Sequence, residues 1–196
     1  MTSALPLPAK PKSAADTKQA LLDAARARFL QESYENVGLR DIAGDVGVDV
    51  ALVSRYFGSK EELFRAGLGV GQNKEILPAD LPNSQIPDYL ARLFVQQGDD
   101  GNEHVERLLI ILRSASSPTA SQIVRQALRE DVLQPLAEKL GGSRSELRAS
   151  TSMAVWMGMT IMRIVMSVEP LCSREGEVEH RLRQLFETAL DDIAPG

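Results

Sequence analysis

The segment Leu39–Phe57, LRDIAGDVGVDVALVSRYF, decides the fold. Its apolar residues recur at helical rather than alternating spacing, and Gly47 divides it into two short pieces. Gly38 is a permissible N-cap for a helix starting at Leu39, and Asp49 caps a second that runs through Tyr56. A helix-turn-helix needs this pattern for steric reasons. Ala43 is small enough for the second helix to cross the first closely. The turn requires a residue that tolerates positive φ, which Gly47 supplies without penalty. Ile42, Val46, Val48 and Val53 form the apolar wedge between the helices. Spacing alone also fits a plain helical hairpin.

Outward from this segment, helix signals dominate and strand signals are almost absent. Asp16 followed by Gln19 reads as a capping box for a helix carrying Leu22, Ala25 and Phe29. Ser59 with Glu62 boxes a helix from Lys60, whose end is weakened by Gly67, Gly69 and Gly71. Pro78, Pro82 and Pro87 mark 72–87 as a linker. Longer patterns follow at 86–98, 103–116, 119–140 and 144–168. Ser117-Pro118 offers an N-cap with proline at the first helical position, and Ser143 with Glu146 a further box. Leu182, Leu185, Phe186, Ala189 and Ile193 stripe a last helix. The expectation is an all-α chain of about nine helices: a disordered arm over 1–15, a small unit over 16–71 and a larger one over 72–196.

Composition narrows the function classes. With 22 Lys+Arg against 27 Asp+Glu the net charge is −5, which excludes a polycation that coats nucleic acid. A single cysteine, Cys172, excludes a disulfide scaffold or a thiolate metal cage. The two histidines, His104 and His180, leave little material for catalysis or metal binding; His104 with Glu106 does not make a metal site. No catalytic residue, metal or cofactor is predicted. Met153–Val168 is too short for a membrane span and is interrupted by Arg163, so it reads as a buried helix. Lys10 and Lys12 precede no long apolar core, so no signal peptide is read, and a cytoplasmic location is expected.

Beyond the turn, Arg55-Tyr56-Phe57-Gly58-Ser59-Lys60 stands where a recognition helix hands over to the next helix. With the amphipathic first helix, Leu39-Arg40-Asp41-Ile42-Ala43, Gly47-Val48 and Ser59-Lys60-Glu61-Glu62-Leu63, residues 17–66 resemble the tetracycline-repressor (TetR) family of bacterial transcriptional regulators. The resemblance implies an N-terminal three-helix DNA-binding domain and a C-terminal helical bundle for ligand binding and dimerisation. It further implies a homodimer, joined through the last two helices, on a palindromic double-stranded operator. Two recognition helices would then lie roughly 34–36 Å apart in successive major grooves. Val50 and Ala51 open the recognition helix towards base edges, where either can meet a thymine methyl. Arg55 reaches a guanine or a phosphate. Tyr56 is the family's aromatic-hydroxyl phosphate contact. Lys60 seats a phosphate at a helix N-terminus, and Arg40 clamps the backbone or grazes a base. Lys10 and Lys12 add salt-dependent affinity. The sequence departs from the family at Ser54 and Leu52, where many members have Tyr and Thr. At Asp49, in place of the common Ser, it sets a negative charge near DNA. Residues 1–71 carry nine acidic and nine basic side chains, which argues for a few well-placed contacts rather than strong non-specific binding.

The C-terminal part holds five of the six methionines, at 153, 157, 159, 162 and 166, with Trp156 among them. They suit a pocket for irregular apolar ligands, or simply a core and a dimer seam. The ligand-lining residues expected are Phe94, Leu109, Leu112, Arg113, Met153, Trp156, Met157 and Thr160. Arg113 is either a buried cation awaiting an acidic ligand, or a satisfied helix-end residue or partner of an acid on a neighbouring helix; Arg163 has the same readings, an interhelical or intersubunit ion pair among them. The function this supports is a ligand-responsive regulator: a repressor released from its operator by a small apolar or amphipathic effector. A small helical enzyme and a helical adaptor that no longer reads DNA are the alternatives. The effector, its sign and the operator are left open.

Overall fold

The computed structural model describes residues 13–69, 77–96, 103–172 and 176–192, and among them there are helices and no strands. The first helices are α1 (Ala14–Gln31), α2 (Leu39–Val46), α3 (Val50–Phe57) and α4 (Lys60–Gly67). Then follow α5 (Ile86–Gln96), α6 (Glu103–Ser114), α7 (Pro118–Leu128) and α8 (Gln134–Leu140). The last are α9 (Ser145–Thr160), α10 (Glu169–Cys172) and α11 (Glu177–Leu190). A π-helical turn at Arg129–Leu133 joins α7 to α8, so the helical backbone is unbroken over 118–140. A second π-turn, Ile161–Val165, extends α9. Lys10, Lys12, Gly71 and Ile193 lie outside the described residues, as does most of the 1–15 arm.

The chain forms two compact units: residues 1–71 with 109–125, and residues 72–108 with 126–196. In the first, α1 to α4 close around Leu21, Ala25, Phe29, Tyr34, Ile42, Val53, Leu63 and Phe64. Ile110, Ala120 and Ile123 complete that core from α6 and α7. Phe64 meets the edges of Phe29 and Tyr34, with ring centroids 4.8 and 5.0 Å apart, the quadrupole-favoured arrangement for aromatic pairs. In the second unit, Ile86, Leu90, Ala91 and Phe94 of α5 pack against Val178, Leu182, Phe186 and Leu190 of α11. Trp156 of α9 wedges in, 5.5 Å from Phe94 and 6.2 Å from Phe186.

Local capping signals are realised at Ser59 and Ser117. Ser59 accepts from the amide of Glu62 at 3.2 Å, and Ser117 from that of Ala120 at 3.1 Å, directly before Pro118. Two boxes are corrected. The cap of α1 is Ser13, which accepts from Asp16 N, while Gln19 donates to Asp23. Ser143 does not cap α9: its hydroxyl donates to Asp192 at 2.8 Å, and α9 starts after Arg144, whose φ is +53°. The stripe of α11 is also shifted. Leu182 and Phe186 face the core with Val178 and Leu190, but Leu185 stands 47% exposed. Ile86 and Pro87, assigned to the linker, are buried at the start of α5.

Candidate nucleic-acid interface

The helix-turn-helix is built from its turn. Gly47 closes α2 with φ +73° and ψ +35°, and its N–H donates back to the carbonyl of Gly44 at 3.1 Å. Val48 donates to the carbonyl of Ala43 at 3.0 Å, satisfying a further orphan acceptor of the helix end. A Cβ at Gly47 would meet nothing within 4 Å. The glycine is therefore required by backbone conformation alone. Asp49 then starts α3, its Oδ1 accepting from the amide of Ala51 at 2.7 Å. The expected wedge is in place: Ile42 and Val53 are fully buried, and Val46 and Val48 pack against the same core.

With Val53 turned inward, the opposite face of α3 goes to solvent. Ala51, Ser54 and Arg55 are exposed, as is Asp49 at its start, while Val50 and Tyr56 are half-buried against the core. Arg40, in the first turn of α2, is also exposed. Among the described residues neither Arg40 nor Arg55 has a carboxylate partner. Lys60 is more engaged than the sequence suggests. Its ammonium lies 4.4 Å from the Tyr34 ring centroid and donates to the carbonyl of Glu35 at 3.4 Å. Sequence reasoning missed Lys18 of α1, whose Nζ is 5.6 Å from the ring of Phe57 at the end of α3. Only the fold brings these two elements together, so nothing local marks Lys18.

The frame behind this surface is polar and tied. Arg28 of α1 donates to both carboxylate oxygens of Asp45 in α2, at 2.5 and 2.9 Å. That fork holds the Asp45 carboxyl below the usual carboxylate range and raises Arg28 further above its own. Tyr34 is pushed up to about 12, first by burial and then by the neighbouring Glu61 carboxylate. Glu61 lies close enough to act on the hydroxyl, yet the hydroxyl has no partner in hydrogen-bonding geometry. Ser117, at the start of α7, donates to Glu35 Oε1 at 2.5 Å.

The residues nominated to line a ligand site are split. Leu109, Leu112 and Arg113 belong to the first unit; Phe94, Met153, Trp156, Met157 and Thr160 belong to the second. Arg113 is exposed and donates to the carbonyl of Gln31 at 2.9 Å, which is the satisfied helix-end role rather than a buried cation. Leu112 is exposed. Thr160 is buried, but its hydroxyl is spent on the carbonyl of Trp156 at 2.8 Å. Met153 and Met157 are half-buried, and Met159 rather than either packs with Phe94 and Phe186. Arg163 lies over the Phe94 ring at 5.4 Å and donates to the Phe94 carbonyl. An open groove of about 380 Å³ lies elsewhere on this unit, lined by Leu147, Thr151 and Val155 of α9 and Leu185 and Thr188 of α11. Among the described residues no three His, Cys, Asp or Glu side chains could hold a metal ion. No described helix is long and apolar enough to cross a membrane.

A glycine-turned helix pair with an apolar inner face and an exposed second helix defines a helix-turn-helix transcription regulator. Residues 21–66 match the family described as bacterial regulatory proteins, tetR family, and residues 85–190 the family described as tetracyclin repressor-like, C-terminal domain. The chain belongs to the TetR family, whose members are DNA-binding transcription regulators and not enzymes. Solved structures repeat the fold. GusR of Salmonella enterica aligns with a TM-score of 0.70 at 17% identity, over 89% of this chain and 95% of its own. NalD of Pseudomonas aeruginosa, the secondary repressor of the MexAB-OprM multidrug efflux pump, aligns with a TM-score of 0.63 at 18% identity, over 89% and 97%. A transcriptional regulator from Rhodococcus sp. Rha1 aligns with a TM-score of 0.60 at 20% identity, over 91% and 99%. No curated protein matches the sequence at a significant level.

Proposed function

We propose that this regulator is a cytoplasmic homodimeric repressor that reads a palindromic operator through α3 and is released by a small apolar or amphipathic effector. Residues 16–71 bind DNA; residues 72–196 bind effector and partner. The observation that carries the reading is the turn at Gly47, which buries Val53 and leaves Ala51, Ser54 and Arg55 exposed on one helix. Arg55 offers a fork for guanine or phosphate, Ala51 a methyl for thymine, and Tyr56, Lys60, Lys18 and Arg40 flank them for the backbone. Val50 and Ser54 complete the contact surface.

Dimerisation through the last two long helices, α9 and α11, is supported by exposed apolar side chains on α9, its π-helical extension and α11. Leu147 is 60% exposed and Met166 61%, with Met162, Val165 and Leu185 also open. Large apolar side chains left exposed on these helices are available to a partner. A C2 pairing would cover the same patch on both copies. For the effector, Phe94, Met153, Trp156, Met157 and Thr160 are the proposed contacts, all of them within the second unit. Release follows if the effector binds better to a state whose α3 helices are mis-spaced for adjacent grooves.

Fluorescence anisotropy with short duplexes from beside the gene, against scrambled controls over a salt series, tests the reading. Preference for one two-fold symmetric duplex, lost in Arg55→Ala, supports it. Equal weak binding to every duplex that vanishes with modest salt would leave only phosphate attraction and favour the adaptor alternative.

A further inference from the structure

The first turn of α3 presents Asp49, Val50, Ala51 and Leu52, of which Asp49 and Ala51 are exposed. Val50 is half-buried against the core and Ala51 has only a methyl, so Asp49 alone carries hydrogen-bonding atoms there. Its Oδ1 is bound to the amide of Ala51 at 2.7 Å. Asp49 is exposed, and among the described residues no Lys or Arg pairs with it. A carboxylate has about four acceptor positions and no donor, so one oxygen stays free after capping. The cap itself does not call for a charge, since Ser or Asn serves equally well.

Resting on the assignment of α3 to the major groove, we infer that Asp49 is a specificity-determining residue that selects cytosine at one position of each operator half-site. The major-groove edge of cytosine presents an amino donor and no acceptor. Adenine presents its amino group beside the N7 acceptor, guanine two acceptors, and thymine an acceptor with a methyl. An acceptor-only side chain is matched by cytosine and repelled in part by each of the others. The charge is tolerable at this place because the positive end of the α3 dipole lies beneath it. Repulsion from phosphates lowers affinity for every sequence, so the carboxylate acts by exclusion as much as by attraction.

The test takes a duplex enriched from a random library by the wild-type protein and its full set of single-base-pair variants. Binding is measured for wild type, Asp49→Asn and Asp49→Ser, both of which keep a capping oxygen; circular dichroism confirms that they fold. Wild type is expected to lose about tenfold in affinity when one cytosine per half-site is replaced. Asp49→Asn, which gains a donor, is expected to shift preference at that position to adenine or guanine, and Asp49→Ser to flatten it to within about threefold. Unchanged preference at every position in both variants would make Asp49 a cap only and overturn the inference while leaving α3 as the reader. If wild-type protein enriches no sequence, the inference falls together with the assignment on which it rests.

Discussion

Arg28 of α1 grips both carboxylate oxygens of Asp45 in α2, at 2.5 and 2.9 Å, and so fixes the first helix of the helix-turn-helix to the frame behind it. Both side chains keep part of their surface in water, so the pair is worth less than about 1 kcal/mol despite its bidentate geometry. Because Asp45 is held below its ordinary value, near ~3.9, its contribution is present above that pH and is lost as pH falls through the lower folded value. Asp45→Asn is expected to lower stability by about 0.5–1 kcal/mol at pH 7 and to make stability less pH-dependent below about pH 4. Urea denaturation at pH 7 and pH 3 checks this; equal losses at both would contradict it.

Tyr34 gives the opposite sign at the alkaline end. Its folded value of about 12 exceeds the unfolded value near ~10. Its stability term is intact below pH ~10 and declines as pH rises towards 12. Tyr34→Phe removes that decline. With the Glu61 carboxylate beside the hydroxyl but outside good hydrogen-bonding geometry, the change is expected to cost less than about 1 kcal/mol at pH 7. Thermal melts between pH 8 and 11 separate the variant from the wild type.

Two glycines of the same turn region, Gly44 and Gly47, are expected to respond oppositely. Gly47 has φ +73°, so Gly47→Ala costs about 1 kcal/mol although a Cβ there meets nothing. Gly44 lies inside α2 with open space around it, and Gly44→Ala gains about 0.5–1 kcal/mol from helix propensity. Parallel denaturation curves decide it. A gain at Gly47 would mean that the left-handed turn is not needed.

Phe186 is fully buried between α5 and α9, with Trp156 stacked at a tilt beside it. Phe186→Ala is expected to destabilise by about 3–5 kcal/mol. Tryptophan fluorescence, from Trp156 alone, reports the loss directly because it is the chain's only tryptophan.

The legibility of the fold follows how local each determinant is. Gly47 and the caps Asp49, Ser59 and Ser117 act within four residues, so they can be read from the sequence. The unbroken helical stretch over 118–140 is likewise visible in its periodicity, though its π-helical turn is not. Ser143 shows where local reading ends. It has the right partner spacing for a capping box, but the left-handed backbone of Arg144, φ +53°, starts α9 one residue later, and the Ser143 hydroxyl meets Asp192, 49 residues away. Leu185 faces water because the packing of α11 on α5 sets the buried stripe at Val178, Leu182, Phe186 and Leu190. The same reason explains the ligand nominees: Leu109 and Leu112 lie in the apolar run Leu108–Leu112 that Arg113 ends, but the fold enlists Ile110 of that run in the first unit's core. The exposed face of α3 is readable, because burial of Val53 alone determines which residues point away. Lys18 is not, since its proximity to Phe57 exists only in three dimensions.

The central claim is that α3 reads DNA sequence, and selection from a random duplex library by the purified protein tests it most directly. The account predicts enrichment of a single two-fold symmetric motif, with half-sites about one helical turn apart, and loss of that enrichment in Arg55→Ala at unchanged thermal stability. Enrichment of no motif by the wild-type protein, or an identical motif from Arg55→Ala, would contradict it.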